Sequence, residues 1–69
     1  MSSPWKPLSL KKLSEGSYLG EFQDPNRDEV EYHVIMVFAN VNGIHRRIGS
    51  HVAYDMDFLT PLRYMEIPK

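Results

Sequence analysis

The amino-acid sequence predicts a mostly β fold, a small twisted antiparallel meander of three or four strands, either open or closing toward a barrel. Two observations carry that expectation. The run from Glu29 to Val41 holds Val30, Tyr32, Val34, Ile35, Met36, Val37, Phe38 and Val41, the β-branched and aromatic types that suit a pleated surface. Directly after it stands Asn42-Gly43, a pair suited to a two-residue hairpin turn in which both central residues need positive φ.

The elements follow in chain order. Pro4 and Pro7 bracket Trp5 and remove two backbone donors, so the opening is irregular. Ser9 to Ser14 spells one helical turn, with Leu10 and Leu13 three apart on one side. Glu15-Gly16 ends it, and Ser17 to Phe22 reads as the first strand. Asp24-Pro25-Asn26-Arg27-Asp28 is a solvated loop, because Pro25 fixes φ and the Asp and Asn side chains close local turns.

From Val34 to Ala39 both strand faces are apolar. Such a strand is covered on both sides, or lies in a sheet curled on itself. A turn centred on Asn42-Gly43 would set Val41 against Ile44, Ala39 against Arg46, Phe38 against Arg47, Val37 against Ile48 and Val34 against His51. The partner strand then runs to about Tyr54, with Gly49 marking a bulge or a close backbone approach. Asp55-Met56-Asp57 is a turn. Pro61 is expected outside the sheet interior, and Leu62 to Ile67 forms a last strand.

Size and composition narrow the function classes. A chain of 69 residues makes one small domain, spanning 1–69, and buries only about 60% of the surface its unfolded form exposes. With 42% hydrophobic and 12% aromatic residues it is too apolar for a disordered chain. It has no cysteine, hence no disulfide and no thiolate cage for zinc. A net charge of -1 fits neither a DNA-coating protein nor an acidic DNA mimic. The opening Met-Ser-Ser-Pro-Trp-Lys-Pro lacks an apolar core of signal-peptide length, and no stretch approaches a membrane span of ~20 residues. The expectation is a cytoplasmic protein without membrane contact.

Candidate chemistry is sparse. Asp55 and Asp57 could serve a hydrolase or a metal, yet Asp flanking a Met in a bend is ordinary turn chemistry. His33, His45 and His51 do not converge in the expected register. There is no nucleophile elbow and no Gly-rich phosphate loop, so no catalytic residue, metal site or cofactor is expected. Arg46-Arg47, with Lys11, Lys12 and exposed aromatics, could grip a single-stranded nucleic acid on a small barrel. A solvated, salt-paired edge strand accounts for the arginines with less effort. Trp5 is either an anchor for a partner or a lid over one end of the core, packed on Tyr64, Met65 and Ile67.

The two ends of the chain resemble a family. Trp5-Lys6-Pro7-Leu8, then Leu13-Ser14-Glu15-Gly16-Ser17-Tyr18-Leu19, is similar to the opening of short phage and prophage proteins that read Trp-x-Pro-Ile, then Leu-Pro-x-Asp/Glu-Gly and an apolar strand. The close, from Thr60 to Pro68, is similar to their Thr-His-Trp-Met-Pro-Leu-Pro, with Tyr64-Met65 in place of Trp-Met. Ser14 stands where the family has Pro, the His after Thr is missing, and two residues precede the aromatic. The resemblance leaves out the middle of the chain. It implies a phage or prophage origin and ends that pack together, and supplies no catalytic residue, because the family is a domain of unknown function.

These readings lead to a non-catalytic accessory protein that binds a host or phage protein, with Trp5, Arg46, Arg47 and Tyr64 as candidate contact residues. A homodimer would also cover exposed strand edges. The alternative is the single-stranded nucleic-acid binder.

Overall fold

Tyr18, Phe22, Ile35, Val37 and Ile48 fall at alternate positions of three neighbouring strands, and this period of two sets the architecture. The computed structural model describes residues 4–68; the first three residues of the segment read above for a leader lie outside them. The strands are β1 (Lys6–Pro7), β2 (Gly16–Asp24), β3 (Glu29–Asn40), β4 (Gly43–Ile48), β5 (His51–Val52) and β6 (Thr60–Glu66). They form one antiparallel sheet in the order β1-β6-β2-β3-β4-β5. Single 3-10 turns occupy Leu10–Lys12 and Ala53–Met56.

The mostly β expectation holds, and three of its details change. The sheet is open and does not close into a barrel. Four long strands are extended by two edge strands of two residues each. The order also departs from a meander, because β6 returns beside β2. The connection that makes this return passes under the sheet and buries Leu59 in the core.

Among the described residues, segments 8–13 and 53–59 cover one face of the sheet. Leu8, Leu13 and Leu59 from the connections meet Tyr18, Phe22, Ile35, Val37 and Ile48 from the strands, with Leu10, Ala53 and Met56 at the margin. Phe22, Ile35 and Ile48 are fully buried, each stabilising by roughly 1.5–3 kcal/mol relative to an exposed side chain. The Tyr18 hydroxyl donates to the Ser14 carbonyl at 2.8 Å, tying the approach segment to β2. Val34 to Ala39 is therefore covered on one side only, not on both.

The central hairpin forms with its register moved by two residues. Asn40 pairs with Gly43, Ala39 with Ile44, Phe38 with His45, Val37 with Arg46, Met36 with Arg47 and Ile35 with Ile48. The tip is Val41-Asn42. Asn40 Oδ1 accepts the Asn42 N–H at 2.8 Å and also contacts His45 Nε2 at 2.9 Å, so Asn40 closes the turn one step earlier than expected. In this two-residue loop positive φ falls not on the tip residues but on Gly43 beside them, at 115°, a conformation glycine adopts readily. A slip of two leaves every side chain on its expected face, whereas a slip of one would have reversed the sheet.

The expected long partner strand also divides. β4 stops at Ile48, and Gly49 at φ 59° begins a two-residue turn that folds β5 back onto Arg47 and Ile48. The turn at Asp24–Asp28 forms where expected: Asp24 Oδ1 accepts the Asn26 N–H at 2.9 Å. Pro61 lies within β6, contrary to expectation. It sits beside a bulge that leaves Leu62 without a partner on β2, and where β1 does not reach, so its missing N–H costs no ladder bond.

Candidate protein-docking face

The side chains opposite the core alternate with it along the same strands. Met65 on β6, Leu19 on β2 and Val34 on β3 form one cross-strand apolar row at the centre of the sheet. Met36 lies on one side of that row, with Arg47 and Val52 beyond it. Tyr32 lies on the other, opposite Glu21, and Val30 follows opposite Gln23. Val30, Val34 and Met36 remain 44–46% exposed, and Tyr32 56%.

One corner is covered. The Arg63 guanidinium donates through Nε and Nη2 to Glu21 Oε2, both at 2.9 Å. Its Cζ lies 4.5 Å from the centroid of the Trp5 ring, a cation–π contact. Trp5 in turn meets Tyr32 with ring centroids 6.3 Å apart. Glu21 is buried by this arrangement at 8% exposure, and its hydrogen bond holds the Arg63 pKa above the ordinary guanidinium value. The face is thus apolar in its centre and carries its one buried carboxylate already paired.

The molecule measures 38 × 33 × 18 Å, so one broad face offers on the order of 1,000 Å². That matches the ~800 Å² one partner contributes to a standard protein interface.

The four residues singled out from sequence are split by the sheet. Trp5 and Arg47 belong to the open face. Arg46 and Tyr64 belong to the core side, where Arg46 Nη2 donates to the Lys11 carbonyl at 3.1 Å and Tyr64 packs edge-on against Tyr18 at 5.4 Å. Trp5 does not close an end of the core: its ring meets Arg63 and Tyr32 on the open face, which also carries Met65, whereas Tyr64 lies on the core side. Leu19, Tyr32, Val34, Met36, Arg63 and Met65 were not singled out as site residues. The two-faced apolar run held the signal for Val34 and Met36, but the Glu21–Arg63 pair spans 42 residues and leaves no local trace.

The histidines have ordinary neighbours. His33 is half-buried against Phe22, with ring centroids 5.7 Å apart, and His45 stacks on Phe38 at 5.6 Å. Among the described residues no group of three His, Cys, Asp or Glu is placed to hold a metal ion, and no helix is long and apolar enough to cross a membrane. Comparison with protein-family models, curated proteins and solved structures gives no match to this chain.

Proposed function

We propose that the protein is a non-catalytic interaction module that docks a protein partner on the open face of its sheet. The single observation that carries this reading is the apolar row Met65–Leu19–Val34, half-buried at Met65 and Leu19 and open at Val34, with its exposed neighbours Met36, Tyr32 and Val30. A contiguous apolar surface of this kind marks an interaction site in a folded protein. Trp5 and Arg63, at the corner of the face, are of the types enriched among residues that dominate binding energy. The resemblance of both chain ends to short phage and prophage proteins supports a bacterial or phage partner, met in the host cytoplasm.

The test is affinity capture from bacterial lysate with the wild-type chain and with Val34→Lys, followed by mass spectrometry. Val34 is half exposed, so the variant should keep the wild-type circular dichroism spectrum while putting a charge at the centre of the face. The expected result is a specific protein captured by the wild type and lost from the variant. Capture of the same protein by both, or none by the wild type in repeated trials, would refute the reading.

A further inference from the structure

A second surface lies at the sheet edge. β5 pairs with β4 at Arg47 and Ile48, and among the described residues no strand pairs with the outer side of β4 from Gly43 to Arg46. A groove of about 470 Å³ runs along this edge. Phe38, Ile44, Val52 and Tyr54 give it apolar walls, and His45, Arg46 and Arg47 give it its charge, with no carboxylate in its lining.

The polar side chains are held in place before any ligand arrives. Arg46 is tethered through Nη2 to the Lys11 carbonyl, which brings the Lys11–Lys12 turn to the same edge. His45 is stacked on Phe38 and bonded to Asn40 Oδ1. Ordering such side chains in advance removes part of the cost of binding.

We infer that this edge accepts an extended acidic peptide as an added strand, paired backbone to backbone with Gly43–Arg46. Alternate side chains of the added strand would meet His45, Arg47 and Val52 on one face and Ile44 and Arg46 on the other. Carboxylates on the peptide match both arginines, and apolar residues match Ile44, Val52 and Tyr54. A second copy of this chain is disfavoured as the occupant, because its own β4 carries His45, Arg46 and Arg47 and no carboxylate to meet the arginines of the groove. This edge adjoins the docking face at Arg47 and Val52, but the inference rests on the unpaired β4 backbone and its charge and does not depend on a partner on that face.

The test uses a fluorescein-labelled peptide, Asp-Ile-Glu-Val-Glu-Ile-Asp, in an anisotropy titration at low salt. Three comparisons accompany it: the peptide with its acids replaced by Lys, the peptide N-methylated at alternate amides, and an amide chemical-shift map of the bound protein. The expected result is saturable binding of the acidic peptide, with shifts concentrated on Gly43–Arg46. Arg47→Ala should weaken it at least ~3-fold and Arg46→Ala with Arg47→Ala at least ~10-fold, since each removes an ion pair. Arg47 is exposed, so its single variant keeps the test decisive if the double variant does not fold. No binding, equal binding by the Lys or N-methylated peptide, unchanged affinity in Arg47→Ala, or shifts mapping away from β4 would each overturn the inference.

Discussion

Replacing Gly20 by Ala sets two effects of opposite sign against each other at the centre of the sheet. Gly20 is not among the residues with left-handed backbone, so Ala can adopt its conformation. On backbone grounds alone the change would stabilise by about 0.4–1 kcal/mol, through the entropy of the unfolded chain. The space around it says otherwise. A Cβ at this position would lie 2.5 Å from Ile35 Cδ1, 2.8 Å from Phe22 Cε1 and 3.2 Å from Ile35 Cγ1. Both neighbours are fully buried and have no room to retreat. Overpacking of a tight core costs typically 1–3 kcal/mol, so the net effect is destabilisation by about 1–2 kcal/mol. In a domain of this size that lowers the melting temperature by roughly 5–10 °C. Ile35→Val removes the Cδ1 atom that clashes most, and alone costs about 0.5–1.5 kcal/mol. Combined with Gly20→Ala it should cost less than the sum, with a coupling of roughly 1 kcal/mol. Urea unfolding followed by far-ultraviolet circular dichroism measures all four corners of the cycle. A Gly20→Ala protein as stable as the wild type, or a cycle that is simply additive, would refute the packing assigned to Gly20, Phe22 and Ile35.

Two further substitutions test other parts of the fold. Ile48→Ala removes a fully buried side chain and should cost about 2–5 kcal/mol, comparable with the whole stability of a small domain, so the variant should show a largely unfolded dichroism spectrum at 25 °C. Gly43→Ala places a side chain where φ is 115° but nothing lies within 4 Å, so its cost of about 1 kcal/mol is purely conformational. Gly43→Asn should melt closer to the wild type than Gly43→Ala, because Asn tolerates positive φ better.

How much could be read in advance depended on how local each signal was. The turn after Asp24, the turn near Leu10 and the strand beginning at Glu29 rest on side chains acting within a few residues, and all three form, although Asp24 itself ends β2 and is buried, not solvated. The hairpin was legible as a hairpin, but its tip was not. Asn42-Gly43 suggested both positive-φ positions, while the decisive group was Asn40, whose carboxamide binds the Asn42 N–H and places Val41 at the tip. The strand ending at Ile48 was read too long because Gly49 suits a bulge and a tight turn alike. The two-faced apolar run from Val34 to Ala39 suggested cover on both sides or a curled sheet, and it is covered on one side only, because periodicity says nothing of what lies over a face. Trp5 was undecided between anchor and lid for the same reason: its contacts with Tyr32 and Arg63 are set by tertiary structure.

Among the described residues, the connections between strands cover one face of the sheet and leave the other open. Residues 8–15 and 53–59 both turn toward the core side, and Leu8, Leu13 and Leu59 spend their apolar surface there. On the other side Trp5 lies against the Glu21–Arg63 corner and Tyr32. That corner matters because a partner covering an unpaired carboxylate would strip its water and bind poorly. Here Glu21 is already paired, so excluding water strengthens an existing contact instead of exposing a cost. The face therefore suits an apolar partner, and its binding should change little with salt. The β4 edge carries Arg46 and Arg47 with no ion-pair partner in its groove, so its binding should weaken as salt screens those charges. Salt dependence thus separates the two surfaces even when both are occupied: a complex insensitive to salt and lost in Val34→Lys belongs to the face, and one lost at high salt and in Arg47→Ala belongs to the edge.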